Sequence, residues 1–290
     1  MNQARRAALA QRIRKNELLI APGIFELISA KIADRLGFEC LYATGYGLVA
    51  SHLGLPDAGL ATYSDMVGRV AQIAKMTQTP FIADGDTGYG GLLNVQHAVQ
   101  GYEAAGACGI QIEDQEFPKK CGHMLGRRVI PAPDMAAKVR VAVDSRADRN
   151  FLVVARTDAR TTLGLDEALR RAELYLKAGA DVLFLESPES LEEMRRIGET
   201  FKGVPLLANM VEGGRTPVLD KKTLEEVGYR IAIFPALGFL AAGAALEQVY
   251  IQLRDKGSSK DMAAPLYDFK KFSALMGFDA VAEFDKRYGE

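Results

Sequence analysis

The sequence has no tryptophan, three histidines, three cysteines and no apolar run approaching the ~20 residues of a membrane span. Cys40, Cys108 and Cys121 show no CxxC spacing, so structural disulfides and a cysteine-based zinc site are disfavoured. The 36 basic and 37 acidic side chains nearly cancel, and this balance provides no charge attraction for nucleic acid or an anionic membrane. Small molecules are therefore the expected partners.

The N-terminal segment is basic and amphipathic but has no apolar stretch followed by a small-residue cleavage site. An arginine-rich start is also found in organelle transit peptides, yet Glu17 and Asp34 follow soon and serine is scarce. We therefore predict an N-terminal surface helix and a cytoplasmic protein.

Eight short apolar runs recur along the chain with amphipathic, helix-like segments between them. The runs are residues 18–23, 40–45, 80–86, 109–114, 151–158, 182–187, 205–210 and 230–236. Nearly continuous apolar runs indicate strands that are buried on both faces, as in parallel sheets.

Eight strand-helix units in about 240 residues predict an α/β fold of one TIM-type (β/α)8 barrel. A doubly wound open sheet is the alternative, but no GxGxxG motif opens the first unit to favour it. The predicted domain is single, 1–290, with the barrel at about 17–255 and a helical extension at about 258–290.

Polar side chains cluster where the predicted strands end, which is where barrel enzymes place their active sites. They are Thr44, Asp84, Asp86, Glu113, Asp114, Arg156, Asp158, Glu186 and Asn209. Each one alone is more simply explained as the polar cap of the following helix. Together they predict a site for a metal and a carboxylate substrate.

Asp84 and Asp86 would point the same way if their strand continues through both residues. Two adjacent carboxylates repel unless a cation compensates them, and Mg²⁺ commonly takes one or two carboxylates plus water and substrate oxygens. Asp57 and Glu113 could complete an outer shell. The alternative is that the DGD sequence is only a turn motif.

The segment KKCGHM places Cys121 between lysine and His123 on the loop after the fourth predicted strand. Such an electropositive setting tunes a thiol and allows it to donate or accept a proton. A lone cysteine is more often a small buried hydrophobe, but this loop is polar on both sides. One histidine beside one cysteine does not match a zinc pattern.

From Leu18 to about Lys256 the sequence resembles the isocitrate lyase and phosphoenolpyruvate mutase superfamily. The resemblance rests on TGYGLVASHLGLPDAGL, DGDTGYGG, IEDQ followed by PKKCGH, ARTDA, ESP, and NMVEGG with TP. The KKCGH segment is typical of the lyase branch.

The resemblance implies roles for named residues. Asp84 and Asp86 would bind Mg²⁺, or Mn²⁺ as an alternative, and Asp57 and Glu113 would act through bound water. The implied substrate-binding residues are Thr44, Gly45, Tyr46, Gly122, Arg156, Glu186 and Asn209, and the implied catalytic residues are Cys121, Tyr42, Arg156, His123 and Lys119. Residues Lys119 to His123 would form a loop that closes over the ligand.

The implied reaction is cleavage of a 2-hydroxy dicarboxylate between C2 and C3, which gives an α-keto acid and an enediolate-like carboxylate that Cys121 protonates. Tyr42 is a candidate to accept the hydroxyl proton, although an ordinary strand aromatic is the alternative interpretation. The resemblance also implies a homotetramer whose C-terminal helices are exchanged between subunits.

Within the lyase branch, the resemblance is strongest to enzymes that cleave 2,3-dimethylmalate to pyruvate and propionate. Enzymes that cleave 2-methylisocitrate to pyruvate and succinate carry an arginine where this chain has Leu240, and a third carboxylate needs a cationic partner. Oxaloacetate hydrolysis, carboxyphosphonoenolpyruvate mutase chemistry and a non-catalytic binding barrel are the remaining alternatives.

The substitution Cys121→Ser tests the implied proton donor. It should leave Mg²⁺ binding nearly intact and collapse turnover, because it changes the proton donor and not the metal ligands. Metal titration and steady-state kinetics measure the two effects, and equal turnover in the variant would remove Cys121 from the mechanism.

Overall fold

A computed structural model of the chain describes residues 2–122, 124 and 126–289. It contains eight parallel strands. Seven lie within the predicted runs, and the first strand extends one residue beyond its predicted run, to Ile24. The strands are β1 Leu19–Ile24, β2 Leu41–Ala43, β3 Phe81–Asp84, β4 Gly109–Glu113, β5 Leu152–Thr157, β6 Val182–Leu185, β7 Leu207–Asn209 and β8 Ile231–Phe234.

The strands form one sheet in the order β6-β5-β4-β3-β2-β1-β8-β7, and every pairing is parallel. An isolated parallel bridge between Leu183 on β6 and Leu206, next to β7, brings the two sheet edges together. The predicted (β/α)8 barrel is therefore confirmed.

Helices precede the first strand, lie between the strands along the chain and follow the last strand. They are α1 Asn2–Arg12, α2 Leu27–Arg35, α3 Gly45–Leu53, α4 Tyr63–Met76, α5 Leu92–Ala105, α6 Ala132–Ser145, α7 Arg160–Leu163, α8 Leu165–Lys177, α9 Leu191–Thr200, α10 Lys221–Glu226, α11 Leu237–Lys256, α12 Phe269–Met276 and α13 Phe278–Tyr288.

Helix α8 shows why these segments are helical. Ala168, Leu169, Ala172 and Tyr175 recur at helical spacing and form a buried stripe. Acidic residues in the first turn and a lysine in the last turn match the helix dipole. The same amphipathic pattern recurs in α4 and α9, whose buried residues also repeat at intervals of three or four.

The core has two layers because successive strand residues point to opposite faces. On β5, Leu152 and Val154 belong to the smaller, inner cluster, whereas Val153 and Ala155 belong to the larger cluster shared with the helices. Helix α1 and the residue after it add Leu9, Ala10 and Ile13 to the inner cluster. The predicted N-terminal helix is therefore part of the barrel core.

The chain divides into two compact units, one ending at Gly238 and one beginning at Phe239. The second unit holds most of α11 together with α12 and α13. Its large apolar side chains include Tyr250, Phe269 and Phe284, and each of the three is more than half exposed. No helix formed by the described residues combines the length and apolarity needed to cross a membrane.

A buried ion pair joins α1 to α5. The Arg6 guanidinium donates to the Ala107 carbonyl at 3.1 Å and lies 3.3 Å from the Glu103 carboxylate. Glu103 also accepts hydrogen bonds of 2.8 Å from the backbone N–H groups of Ala147 and Asp148. One carboxylate therefore links α1, α5 and the segment before β5.

The substitution Glu103→Ala should lower the free energy of unfolding by about 3 to 5 kcal/mol, because it leaves the buried charge of Arg6 with only the longer, 3.7 Å ion pair to Asp148. Glu173→Ala breaks the exposed pair with Lys177 on α8 and is the control, with an expected change below about 1 kcal/mol. Urea unfolding measures both values. Equal effects of the two substitutions would contradict the anchoring role.

Candidate active site

An acidic centre lies at the carboxyl end of β3. Asp84 is the last residue of that strand, and its carboxylate accepts a hydrogen bond of 3.0 Å from the backbone N–H of Asp86. Asp86 has a φ of 48°, a left-handed backbone conformation that is uncommon outside glycine. At Gly45, where α3 begins, a Cβ atom would lie 2.6 Å from the Asp84 carboxylate. Glycine therefore lets the N-terminus of α3 approach the acidic centre.

Burial makes this cluster of negative charge costly. Burial, together with the neighbouring charge of Asp86, raises the pKa of Asp84 to about 6. Burial also raises the pKa of Asp57, and it raises the pKa of Glu113 well above its usual range. The positive charges of Lys119 and Arg156 lower these pKa values but offset the burial only in part.

Lys119 supplies part of that charge from the KKCGH segment. Its ammonium group lies 2.6 Å from Asp86 Oδ1 and also contacts Asp57. Asp86 Oδ1 is buried, and it lies against this ammonium group without accepting a hydrogen bond. A divalent cation at the acidic centre would share this oxygen with Lys119.

The carboxylate oxygens of the acidic centre fit a Mg²⁺ ion that binds few protein ligands directly. Among residues 2–122, 124 and 126–289, no three His, Cys, Asp or Glu side chains are grouped to hold an ion by themselves. Magnesium commonly binds through one or two carboxylates and keeps several waters or substrate oxygens. The carboxylates of Asp84 and Asp86 suit that arrangement.

Arg156 on β5 faces the acidic centre. Its guanidinium donates two hydrogen bonds of 2.9 Å to Asp158 and lies 3.3 Å from both Glu113 and Glu186. The guanidinium carbon lies 5.0 Å from the centre of the Phe184 ring, so the aromatic face also restrains it. Arg156 is thereby held in one orientation.

Glu186 and Asn209, at the carboxyl ends of β6 and β7, form a further wall of the site. Asn209 donates to the Glu186 carboxylate at 2.9 Å, and Glu186 is fully buried. Ser187, with a φ of 60°, donates its backbone N–H to the same carboxylate at 2.8 Å. The ends of β5, β6 and β7 therefore place these groups together, as the sequence predicted.

Gly122 of the KKCGH segment packs against this wall. A Cβ atom built on Gly122 would overlap Arg156 Nη2 and lie 2.8 Å from Glu186 Oε2. The Gly122 carbonyl accepts a hydrogen bond of 3.2 Å from the Ser187 hydroxyl. Cys121 is partly exposed and is not in a disulfide. His123, predicted to act with this loop, lies outside the described residues.

Thr44, Gly45 and Tyr46 lie at the start of α3. Thr44 is the buried N-cap residue and uses no side-chain cap, while Tyr46 is 42% exposed. The first backbone N–H groups of a helix lack intrahelical partners and attract anions. This end of α3 can therefore receive a carboxylate.

The hydroxyl group of Tyr42 is engaged in a hydrogen bond. It donates to Gln111 at 2.6 Å, and Gln111 in turn donates to Asp84 at 3.1 Å. Burial raises the pKa of Tyr42 well above its usual range. The phenolate needed for a base is therefore disfavoured, and Tyr42 acts in the structure as a support for Asp84.

Three of the supporting residues were not predicted. Gln111 stands two residues before Glu113 on β4, and this spacing was a usable signal because alternate strand residues share a face. Arg127 forms a fully buried ion pair with Asp158, for which a strand-end position but no role was predicted. Ser187 supports Glu186 and Gly122, a contact that spacing does not reveal.

Comparisons with known proteins agree with this geometry. The profile of the phosphoenolpyruvate phosphomutase family matches residues 9–254. The chain is 45% identical to 2,3-dimethylmalate lyase of Eubacterium barkeri over 99% of both chains. It is 42% identical to 2-methylisocitrate lyase of Aeropyrum pernix over 97% of this chain and 89% of that protein.

Two solved structures are similar to this chain over nearly its whole length. An oxaloacetate acetylhydrolase in complex with 3,3-difluorooxalacetate matches with a TM-score of 0.93 and 33% identity, over 99% of this chain and 98% of the other. A phosphonopyruvate hydrolase complexed with oxalate and Mg²⁺ matches with a TM-score of 0.88 and 30% identity, over 99% of both chains.

The chain therefore belongs to the phosphoenolpyruvate mutase and isocitrate lyase superfamily. Its two relatives described above are lyases that break carbon-carbon bonds. The predicted family and the predicted type of enzyme are confirmed.

The substitution Gly122→Ala tests the seating of the loop. Its methyl group would overlap Arg156, so the segment should lift and expose Lys119, which is 3% exposed in the structure. We expect cleavage after Lys119 by trypsin to become about tenfold faster, since protection of a closed segment follows its opening equilibrium. Peptide mass spectrometry measures the rate.

Gly91→Ala is the matched control, because a Cβ atom at Gly91 meets no atom within 4 Å. It should be cleaved at the parental rate. Unchanged cleavage of the Gly122→Ala variant would show that the loop is not held by this contact.

Proposed function

We propose that the protein is a Mg²⁺-dependent lyase that cleaves an alkylated malate, with 2,3-dimethylmalate giving pyruvate and propionate. The observation that supports this most is the close packing of the Gly122 backbone against Arg156 and Glu186, in the site that also holds the buried carboxylates of Asp84 and Asp86. A closed loop over opposed acidic and basic groups suits a small dicarboxylate. The 45% identity to a 2,3-dimethylmalate lyase supports the same substrate.

Asp84 and Asp86 would hold Mg²⁺ directly, and Asp57 and Glu113 would act through bound water. When bound, the ion would stabilise negative charge that develops on the hydroxyl and carboxylate oxygens of the substrate. Mn²⁺ has the same preference for oxygen ligands and is the alternative ion.

Each end of the substrate has a group that suits it. The N-terminus of α3, at Thr44, Gly45 and Tyr46, would receive one carboxylate through backbone N–H groups. Arg156 would bind oxygen atoms at the other end, and its two hydrogen bonds to Asp158 fix its orientation. Asn209 and Glu186 would complete that end.

The reaction breaks the C2–C3 bond and leaves the electron pair on C3, delocalised into its carboxylate. Cys121 would then transfer its thiol proton to C3, while the 2-hydroxyl, having lost its proton, becomes the ketone of pyruvate. The raised pKa of Tyr42, caused by its burial, makes its phenolate costly. We therefore assign Tyr42 to the positioning of Gln111 and Asp84 rather than to removal of the hydroxyl proton.

The loop would exclude water from the carbanion. Lys119, between Asp57 and Asp86, would tie the closed loop to the acidic centre, and His123 is proposed to act with Cys121. Exclusion of water prevents loss of the reactive intermediate and strengthens charge interactions in the site.

Cleavage of 2-methylisocitrate is the second candidate, supported by the 42% identical relative. Against it stands Leu240, since a third substrate carboxylate would need a cation and leucine provides none. The oxaloacetate acetylhydrolase fold match makes oxaloacetate a further substrate to test.

We also propose a homotetramer in which the C-terminal helices are exchanged between subunits. The support is the apolar surface of the second unit, where Tyr250, Phe269, Phe284 and Tyr288 are each more than half exposed. Large exposed apolar surfaces usually mark interfaces.

The deciding experiment measures release of the 2-oxo acid, coupled to NADH oxidation, from four substrates. The product is pyruvate from 2,3-dimethylmalate and 2-methylisocitrate, and glyoxylate from isocitrate and malate. Each substrate is assayed with Mg²⁺ and with EDTA. We expect the highest kcat/KM for 2,3-dimethylmalate, and loss of activity in EDTA that Mg²⁺ restores. A preference for 2-methylisocitrate would keep the lyase and reject the dicarboxylate assignment. No 2-oxo acid from any of the four would reject the lyase and direct the assay to oxaloacetate.

A further inference from the structure

A second cavity lies at the opposite end of the barrel from the acidic centre. It has a volume of about 300 Å³ and is bordered by the residues that follow α1 and by residues at the amino ends of β5, β6, β7 and β8. This volume lies at the lower end of the range found for small-molecule sites. We call it the floor cavity.

Three arginines, Arg14, Arg149 and Arg230, line the floor cavity. Its one acidic residue is Asp181, whose carboxylate is already engaged at 2.5 Å by Arg146 and at 2.9 Å by the backbone N–H of Val153. The charge of Asp181 is therefore largely compensated by groups other than the three arginines. The cavity carries a local excess of positive charge.

The hydrogen-bond partners of Arg230 are neutral. Arg230 is half-buried and donates to the Asn16 side chain at 2.9 Å and to the Tyr229 carbonyl at 3.2 Å. None of the ion pairs formed within the described part of the chain involves Arg14, Arg149 or Arg230. Other arginines of limited exposure, such as Arg6 and Arg171, are paired with carboxylates.

The cavity wall also has an apolar part. Ala10, Ile13 and Leu152 are buried members of the inner core, and they form a rigid base beneath the arginines. Guanidinium groups are less strongly hydrated than ammonium groups and bind phosphate or carboxylate oxygens in pairs. Three of them around one cavity, with Arg14 and Arg149 exposed and Arg230 half-buried, provide a site for a ligand with several negative groups.

We propose that the floor cavity binds a small molecule carrying two or more phosphate or carboxylate groups. The ligand would bridge the segment after α1 to the loops before β5 and β8, and it would stabilise the attachment of α1 to the barrel. This inference does not depend on the proposed function, because the cavity shares no residue with the acidic centre.

Isothermal titration calorimetry on the full chain in Mg²⁺-free buffer tests the proposal, with pyrophosphate and citrate as the two probes. We expect saturable binding of at least one probe, with a Kd that rises with ionic strength. Stronger binding of pyrophosphate would identify a phosphate ligand, and stronger binding of citrate a carboxylate ligand.

Variants locate the binding. Arg149→Gln and Arg14→Gln, both at exposed positions, should each raise the Kd by about tenfold, as expected for loss of a charge-assisted contact. Arg195→Gln, on the exposed face of α9, is the matched control and should change the Kd by less than about twofold. Arg230→Gln adds a third position, with circular dichroism confirming that each variant is folded.

Absence of binding by both probes at millimolar concentration would overturn the proposal. A Kd unaffected by Arg149→Gln and Arg14→Gln would also overturn it, since the probe would then bind elsewhere. An equal effect of Arg195→Gln would show a general response to net charge and not a site.

Discussion

The rest of the active site depends on the confinement of several carboxylates in a place that water hardly reaches. Asp84, Asp86 and Glu113 are each less than 10% exposed, and burial raises the pKa of Asp84 to about 6. Such a cluster persists only if cations are brought to it. Lys119 comes from the loop and Arg156 from β5, and each contacts a member of the cluster. The positive charges from the loop and from the strand end therefore compensate the negative charge of the acidic centre.

The barrel makes this balance possible because it brings distant segments to one rim. Arg156, Glu186 and Asn209 come from consecutive strands, and their neighbours Asp158 and Ser187 hold them in place. The supporting contacts are as specific as the groups that face the substrate. A substitution at Asp158 would remove a carboxylate partner from two arginines at once, Arg156 and Arg127.

Most of the fold could be predicted from the sequence because parallel strands buried on both faces leave nearly continuous apolar runs. The strand-end carboxylates could be predicted for the same reason, since a charged residue interrupts such a run only where the strand meets solvent or a site. The proximity of Gly122 to Arg156 could not be predicted, because backbone packing, which has no sequence pattern, creates it. Gln111 was missed although its alternation with Glu113 was visible, since a single amide in a strand has many structural explanations.

The position of α1 has a consequence for how the chain is made. Leu9 and Ile13 belong to the same inner core as Ile231 and Ile233 of the last strand, so a segment synthesised before every strand packs with the strand synthesised last. Contacts this distant in sequence close late and slow the folding of a domain. During translation, the apolar residues of the N-terminal segment cannot complete this packing until β8 has left the ribosome. A nascent chain interrupted before that point would expose the stripe, and it would be a substrate for chaperones rather than a partly finished barrel.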